Sequence, residues 1–319
     1  MEITRWGILG AAKFAREHMG PAIVQAEGAE LAALATSDVA KAEPFQKLAP
    51  NLTVHTDYDA LLADPNIDAI YIPLPNDLHV PWALKAVEAG KAVLVEKPVG
   101  MSVLEIDTLI TARDRTGVFA AEAFMIVHHP QWQKMRELVQ DGALGALRRV
   151  GGTFSYDNSA DTTNIRQQAA RGGGGLRDIG VYTFGSARFV TGQEPLRIVS
   201  AQITREAGVD VHAQVTAEFE GFTYDSTTSM RMTPWQYMEF HGEKGVARLT
   251  APFNPLVYGE ARLELVSSNG SSEVFRWPRD NHYVLQVEAF QHAMRGEAYA
   301  CPLEFSKGTQ AMLDTVLAM

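Results

Sequence analysis

Short apolar runs alternate with longer amphipathic segments over about the first third of the chain. Each apolar run is rich in small and β-branched residues and predicts a strand, whereas a segment such as 77–89 places apolar side chains along one side and predicts a helix. Alternation of this kind predicts right-handed βαβ units and a parallel sheet with helices on both faces. The predicted strands are 5–9, 30–35, 53–55, 69–72, 92–95 and 118–121.

The pattern changes after residue 122. A helix over 130–141, a strand over 146–156 and a helix that starts near Leu176 precede a β region over 196–275, and two helical patterns (282–294 and 306–317) close the chain. Strict apolar/polar alternation over 210–222 predicts an antiparallel strand with one buried face. We therefore predict two domains, an α/β domain with a parallel sheet over 1–122 and an α+β domain with an open-faced, mostly antiparallel sheet over 123–319.

Composition and charge exclude several classes of protein. The 319 residues carry a formal net charge of -10 and no run rich in lysine and arginine, which argues against nucleic-acid binding. No apolar stretch approaches the ~20 residues of a membrane span, and the first six residues lack the pattern of a signal peptide. Cys301 is the only cysteine, which excludes a disulfide framework and a thiolate metal cluster. We expect a cytoplasmic protein with no membrane or nucleic-acid partner.

The first predicted strand leads into the segment GILGAAKFA, residues 7–15. This segment fits the pattern G-x-G-x-x-G/A, with Gly10 at the tight turn and Ala12 where a second glycine is usual. The helix that follows such a turn offers free N–H groups and a partial positive charge to a pyrophosphate. An ordinary strand-to-helix turn is the alternative. The predicted cofactor contacts in this segment are Gly10, Ala11, Ala12, Lys13 and Phe14.

The residues after the second predicted strand bear on the choice between NAD and NADP. An acid there would bind the adenosine ribose hydroxyl and favour NAD, whereas hydroxyls with a cation would bind a 2′-phosphate and favour NADP. Thr36, Ser37 and Lys41 suit the phosphate. Asp38 stands a residue or two late for the ribose and can instead cap the next helix. Both cofactors stay open, with a slight preference for NADP.

Two further strand ends carry residues suited to binding. In IPLPNDLH, Pro73 follows a buried strand and His79 falls in the first turn of the next helix; in VLVEKP, the strand stops at Glu96 and Lys97, directly before Pro98. Ligands of such sheets bind beyond the carboxyl ends of the strands. The predicted cofactor contacts from these ends are Pro73, Leu74, Asn76, His79, Glu96 and Lys97.

A run of four glycines, residues 172–175, precedes the helix predicted near Leu176, and we expect it to be a flexible start to that helix. Asp178 and Tyr182 are four residues apart on the helix and therefore share one of its faces. This pair is either part of a site or simply a solvated helix face beside a loop.

Together these motifs resemble the Gfo/Idh/MocA family, the glucose–fructose oxidoreductases and inositol dehydrogenases, over essentially the whole chain. The most specific signal is EKP at a strand end, followed about eighty residues later by GGG-x-L-x-D-x-G-x-Y. The resemblance implies a Rossmann domain followed by an open-sheet domain. It also implies hydride transfer between NAD(P) and a sugar, polyol or related alcohol, often in a dimer or tetramer formed through the open sheet.

The resemblance also implies roles for individual residues. Lys97 stands at the family's catalytic lysine, Asp178 at its motif acid, and Arg166 at a position near the nicotinamide. Tyr182 replaces the histidine of the inositol dehydrogenases. The chain is therefore more similar to the branch that contains dihydrodiol dehydrogenase and NADP-dependent D-xylose dehydrogenase, and inositol is a doubtful substrate.

Oxidation of a secondary alcohol removes a hydride from carbon and a proton from oxygen. We expect the ammonium of Lys97 to stabilise the negative charge that develops on the oxygen. Tyr182 is the expected proton acceptor, and since tyrosine titrates near ~10, a neighbouring cation must favour its phenolate. Asp178 is expected to fix Lys97 or a substrate hydroxyl. This chemistry requires Lys97 and Tyr182 to converge on one carbinol group.

The residues expected to line the substrate pocket are Met125, His128, Phe154 and Tyr156, a mixed set that suits a neutral sugar or a cyclic diol. His128 and His129 are adjacent and have no third ligand at a recognised spacing, so no metal site is predicted. Two alternatives to the oxidoreductase are a dinucleotide-binding sensor or regulator without catalysis, and a glycoside hydrolase that uses tightly held NAD.

Overall fold

In a computed structural model, which describes residues 3–319, the first six strands form one parallel sheet. Met1 and Glu2, where the predicted first domain begins, lie outside the described residues. The sheet has the order β3-β2-β1-β4-β5-β6, with the chain reversing direction across the sheet between β3 and β4. Its strands are β1 (Thr4–Leu9), β2 (Ala29–Ala35), β3 (Thr53–His55), β4 (Ala69–Ile72), β5 (Ala92–Val95) and β6 (Ala120–Glu122).

The apolar runs predict this sheet well because its central strands are buried on both faces. All four residues of β4 and of β5 are buried, and both strands have the predicted bounds. The last strand begins at Ala120, two residues later than predicted. The helices along this part of the chain are α1 (Gly20–Gln25), α2 (Glu43–Leu48), α3 (Tyr58–Leu62), α4 (His79–Glu88) and α5 (Val103–Thr116).

The remaining strands form an eight-stranded sheet with the order β14-β13-β12-β11-β7-β10-β9-β8. Every neighbouring pair is antiparallel except β7 and β10, which run parallel. This sheet and the parallel one confirm the predicted fold class. The strands are β7 (Leu147–Asp157), β8 (Arg197–Glu206), β9 (Val209–Phe219), β10 (Phe222–Ser229), β11 (Arg231–Gly242), β12 (Gly245–Leu249), β13 (Ala261–Ser267) and β14 (Ser272–Trp277).

The predicted alternation along β9 is confirmed, although the strand is shorter than expected. Val211, Val215 and Phe219 are buried, whereas Gln214 is exposed. The predicted strand over 210–222 was too long: β9 ends at Phe219, and Gly221 turns the chain with a φ of 86° into β10. Apolar/polar alternation continues across this tight hairpin, so periodicity alone does not reveal the turn.

The later helices are α6 (Pro130–Gln140), α7 (Val181–Thr191), α8 (His282–Met294) and α9 (Leu303–Leu317). Two π-helical turns, at Ala15–Met19 and Leu176–Gly180, directly precede α1 and α7. Such turns are frequent at functional sites, and both occur here beside predicted site residues. No helix within residues 3–319 is long and apolar enough to cross a membrane.

The chain divides into two compact units. The first consists of the described residues up to Met125 together with Asn281–Lys307, and the second of Ile126–Asp280 and Gly308–Met319. The segment that contains α8 thus returns to the first unit: Phe290, on α8, packs against Trp6 of β1 with the ring centroids 5.0 Å apart. The predicted boundary at 122/123 assumed two contiguous stretches and did not include this return.

Candidate active site

The turn after β1 has the backbone that a dinucleotide site requires. Gly10 has a φ of 94°, and a Cβ on it would lie 2.9 Å from Cδ2 of Leu74. A side chain at position 10 would therefore be strained and would meet Leu74, two residues beyond β4. Lys13 and Phe14 begin the helix after the turn, and first-turn amides of a helix have no partner within the helix. The segment 10–14 thus fits a pyrophosphate group.

The end of β2 combines hydroxyl groups with a paired cation. The Thr36 side chain is buried and hydrogen-bonds the backbone of Asp38, whereas Ser37 is exposed. Asp38 accepts a hydrogen bond from the amide of Ala40 at 3.2 Å, so it caps the helical turn that follows. Lys41 lies 3.8 Å from the Asp38 carboxylate. The capping alternative predicted for Asp38 is therefore present, and Ser37 and Lys41 both remain accessible to solvent.

Beyond β5 the chain enters the turn that carries Lys97, which is partly buried. Glu96 accepts a hydrogen bond from the Tyr71 hydroxyl at 2.6 Å and one from the Lys97 backbone amide at 3.2 Å. Burial raises the pKa of the Glu96 carboxyl, and Lys97 partly opposes that effect. The Glu96 side chain is therefore engaged with neighbouring protein groups at the strand end.

His79 is buried, with 1% of its surface exposed. Its Nδ1 lies 2.8 Å from the carbonyl oxygen of Pro98 and its Nε2 lies 2.7 Å from that of Leu74. Burial lowers the pKa of the imidazole. The ring thus bridges the segments that follow β4 and β5, and both nitrogens face protein carbonyls. Pro73 and Asn76, also predicted cofactor contacts, are partly buried in the same segment after β4.

In the second unit, Asp178 is the centre of a polar cluster with Tyr156 and Arg166. The Tyr156 hydroxyl donates to Oδ2 of Asp178 at 2.6 Å, and Nε of Arg166 lies 2.8 Å from the same oxygen. Asp178 is 11% exposed and Arg166 is 40% exposed. Burial, and then the charge of Asp178, raises the pKa of Tyr156, so this phenol remains a hydrogen-bond donor.

Tyr182 lies one turn beyond Asp178 and packs among aromatic rings. Its ring centroid is 5.8 Å from that of Phe154 and 5.7 Å from that of Phe253, and its side chain is 5% exposed. Asp178 above all, and Tyr156 and Tyr182 to a lesser degree, raise the pKa of Arg166. Arg166 is therefore a cation that interacts electrostatically with the Tyr182 phenol.

The four-glycine segment is tightly packed, which corrects the expectation of a flexible start to the helix. Residues 172–175 are all buried, and Gly174 has a φ of 122°. A Cβ on Gly174 would overlap the Asp210 carboxylate, and one on Gly173 would overlap the Arg166 carbonyl group. Glycine is needed here because only a chain without side chains approaches these neighbours so closely.

Asp210 was not identified as a site residue from the sequence. It is 4% exposed, and its Oδ2 accepts a hydrogen bond from the Leu176 amide at 2.6 Å, at the start of the segment that carries Asp178 and Tyr182. Burial raises the pKa of Asp210 to about 6, although the Leu176 hydrogen bond partly opposes this. The one signal in the sequence was the glycine run, which implied a close neighbour without naming it.

The remaining predicted substrate contacts fall in different units. Met125 is buried and is the last residue of the first stretch of the first unit, whereas His128 is the third residue of the second unit, which begins at Ile126. Burial lowers the pKa of His128 to about 4, so this imidazole is neutral at physiological pH. Its neighbour His129 accepts a hydrogen bond from the Gln131 amide at 3.1 Å and caps α6, which is a structural role.

Two family models match the chain. The model described as an oxidoreductase family with an NAD-binding Rossmann fold (GFO_IDH_MocA) matches residues 4–124. The model of the GFO/IDH/MocA C-terminal domain matches residues 132–248. Together they cover the whole parallel sheet and, in the second sheet, the strands from β7 to β11 and most of β12.

Relatives and solved structures extend this similarity over nearly the full length. The chain is 37% identical to an uncharacterized oxidoreductase, ORF334, of Rhizobium meliloti, over 99% of this chain and 96% of that protein. It is 32% identical to D-xylose 1-dehydrogenase (NADP(+)) 2 of Haloferax volcanii, over 98% and 95%. The crystal structure of a 3-ketoreductase of Actinomadura kijaniata with NADP and TDP-benzene superposes with a TM-score of 0.91 at 27% identity, covering 99% of this chain and 98% of that one.

Proposed function

Because this chain belongs to the Gfo/Idh/MocA family and is an NAD(P)-dependent oxidoreductase, we propose that it interconverts a secondary hydroxyl and a carbonyl on a sugar, a polyol or a cyclic diol. The family resemblance and the enzyme class predicted from the sequence are thereby confirmed, and so is the NAD(P) cofactor. The substrate class is supported by the relatives, which include a xylose dehydrogenase and a ketoreductase crystallised with a TDP compound.

We propose that residues 10–14 hold the pyrophosphate and that NADP is the preferred form of the cofactor. Ser37 and Lys41 offer a hydroxyl and an ammonium to a 2′-phosphate, while Asp38 is occupied in capping the next turn. The H. volcanii relative is named for NADP, and the A. kijaniata ketoreductase was crystallised with it. When bound, the nicotinamide supplies the hydride acceptor or donor.

Lys97 is proposed to stabilise the oxygen of the reacting group. Its ammonium donates hydrogen bonds and carries a full positive charge, so it favours the alkoxide-like oxygen that develops when the C–H bond weakens. The turn that follows β5 is anchored to the sheet through Glu96 and His79, which limits the backbone freedom of the lysine. A placed cation contributes more than a mobile one, because no reorganisation is needed during the reaction.

Tyr182 is proposed to exchange the proton with the substrate oxygen. The observation that carries the proposal is that Tyr182 lies one helical turn beyond Asp178, whose carboxylate is 2.8 Å from the guanidinium of Arg166. A neighbouring cation favours the phenolate and so makes the tyrosine a stronger acid and a better proton relay. Tyr156 has the opposite environment, since burial and then the charge of Asp178 raise its pKa, and it is proposed to orient Asp178 and Arg166.

The test is initial-rate spectrophotometry at the nicotinamide absorbance with NADP or NAD and a panel of substrates. The panel contains D-xylose and other aldoses, myo-inositol and a trans-dihydrodiol in the oxidative direction, and a nucleotide-linked keto-sugar in the reductive direction. We expect turnover of at least one sugar or diol with NADP, and no turnover of inositol. Absence of net cofactor reduction or oxidation across the panel contradicts the proposal.

Two variants test the residue roles. Lys97→Ala is expected to abolish turnover while the Kd for NADP changes less than about threefold, and Tyr182→Phe is expected to lower kcat by about 100-fold or more, the scale of lost general acid–base catalysis. Tyr224→Phe is the matched control, because Tyr224 is fully buried against Phe184 in the same unit. Normal turnover by Tyr182→Phe would assign proton transfer to another group. The A. kijaniata ketoreductase has likewise been crystallised with a lysine or a tyrosine replaced.

The same assay separates the two alternatives. A non-catalytic sensor would bind NADP, measured by fluorescence titration, without turning over any substrate, and the Lys97→Ala substitution would then change nothing measurable. A glycoside hydrolase that uses NAD transiently would release a sugar from a nitrophenyl glycoside with no net change in nicotinamide absorbance. Cleavage of such a glycoside by the wild-type protein would favour that alternative.

We further propose that residues 1–122 serve cofactor binding and that 123–319 serve substrate binding and assembly. The open sheet leaves Trp235 and Val274 about half exposed, which supports a homo-dimer or tetramer formed through that sheet. The single buried cysteine supports a cytoplasmic location. Light scattering of the purified protein at several concentrations tests the assembly.

A further inference from the structure

Three side chains contact one backbone group on each of three consecutive residues, Lys97, Pro98 and Val99. The segment 97–99, which we name the lysine turn, follows β5, and its first amide donates to Glu96 at 3.2 Å. The other two contacts come from outside the turn, from His79 at the start of α4 and from Glu122 at the end of β6. We call each of these side-chain contacts to the lysine turn a tether. One tether comes from the end of β5, one from the start of α4 and one from the end of β6.

The tether from His79 reaches the middle of the lysine turn. Nδ1 of His79 lies 2.8 Å from the Pro98 carbonyl oxygen, while Nε2 lies 2.7 Å from that of Leu74. The imidazole therefore lies within hydrogen-bond distance of both the lysine turn and the segment after β4. Leu74 of that segment is the residue that a Cβ at Gly10 would meet. A residue predicted to contact the cofactor is instead buried between two protein segments.

The tether from Glu122 reaches the end of the lysine turn. Oε1 of Glu122 accepts a hydrogen bond from the Val99 amide at 2.9 Å, and Glu122 is only 3% exposed. A carboxylate so deeply buried is costly unless its hydrogen bonds are fixed. The hydrogen bond to the Val99 amide therefore fixes both the carboxylate and the end of the lysine turn.

We propose that His79 and Glu122 are positioning residues, which hold the lysine turn so that the Lys97 ammonium meets the reacting oxygen of the substrate. This inference rests on the proposed catalytic role of Lys97. Both side chains act through the peptide group that joins Pro98 to Val99, His79 at its carbonyl oxygen and Glu122 at its amide. Because a misplacement of about 1 Å costs on the order of 100-fold in rate, release of one tether is expected to lower kcat by about tenfold or more.

The test uses paired variants that keep or remove a tether. His79→Asn keeps a donor at the δ position for Pro98 and Glu122→Gln keeps an acceptor for Val99, whereas His79→Leu and Glu122→Met remove the tether at similar volume. We expect the apolar variants to lose at least about tenfold in kcat with KM and the NADP Kd nearly unchanged, and the polar variants to recover most of that loss. Glu105→Met is the control, because Glu105 accepts the Met101 amide at 2.7 Å, beyond the turn.

A second readout does not depend on turnover. Hydrogen exchange of a peptide that spans residues 97–101, followed by mass spectrometry, is expected to accelerate in the two apolar variants while the α5 peptide is unchanged. The inference is overturned if exchange and kcat stay at wild-type values, or if the polar variants are as impaired as the apolar ones, since packing would then explain the effect. Lys97→Ala with full activity would instead refute the proposed function, and exchange at the turn would still decide whether the tethers exist.

Discussion

Replacement of Asp210 by asparagine should change how the stability of the protein depends on pH. The carboxylate is 4% exposed and accepts the Leu176 amide at 2.6 Å, and burial raises its pKa from 3.8 to about 6. Asparagine keeps the hydrogen-bond acceptor and nearly the same volume but carries no charge at any pH. The variant therefore removes only the titration of this group.

The sign of the effect follows from which state holds the proton more tightly. With a raised pKa, the folded protein keeps its proton up to about pH 6, whereas the unfolded chain releases it near 3.8. The unfolding free energy of the wild type therefore falls as pH rises between these values, and the penalty is complete above pH 6. The full difference corresponds to about 3 kcal/mol at about 1.4 kcal/mol per pH unit, of which about 2 kcal/mol falls between pH 4.5 and 7.5.

Urea unfolding followed by circular dichroism at pH 4.5 and 7.5 measures this difference. We expect Asp210→Asn, compared with the wild type, to gain about 2 kcal/mol on passing from the lower to the higher pH. Asp157→Asn is the control: a hydrogen bond from Ser159 lowers the pKa of this exposed carboxyl below 3.8, so its titration lies outside the interval. A constant difference between Asp210→Asn and the wild type at both pH values would refute the argument that Asp210 is held in a desolvated site.

Two further predictions use matched pairs of variants. Gly174→Ala should destabilise the protein by at least about 2 kcal/mol more than Gly221→Ala in urea unfolding. Both glycines have positive φ, but only a Cβ at position 174 overlaps a neighbour, the Asp210 carboxylate. Equal losses of stability in the two variants would show that the glycine segment relaxes freely. Lys41→Ala should raise the Kd for NADP about fivefold and leave the Kd for NAD unchanged, as measured by fluorescence titration. Lys47, a similarly exposed lysine on the next helix, is the control, and Lys47→Ala should change neither Kd. An equal effect of Lys41→Ala on both cofactors would refute a 2′-phosphate contact.

The sequence was most informative where structure depends on local periodicity. The strands β4 and β5 have the predicted bounds, because a short apolar run flanked by turn residues is buried on both faces of a parallel sheet whatever its neighbours are. The alternation over β9 likewise defines which face is buried. The position of Lys97 beyond a buried strand follows from the same local pattern.

Features that depend on contacts between residues distant in sequence could not be predicted from local sequence patterns. The return of α8 to the first unit and the hairpin hidden within the alternation of 210–222 both required the tertiary structure. The two π-helical turns also went undetected, because one extra residue in a helical turn shifts the hydrophobic period too little to be seen.

The candidate site residues show most clearly which properties the sequence predicts and which depend on the tertiary structure. The sequence alone indicated which residues we propose to carry the chemistry, since a lysine at a strand end and an Asp/Tyr pair on a helix are local patterns. Only the tertiary structure decided what those residues contact: Asp178 pairs with Arg166, and both ring nitrogens of His79 face backbone carbonyls. The physical reason is that burial and hydrogen bonding, which set charge and orientation, are supplied by segments far away along the chain, as Asp210 does for the glycines it packs against.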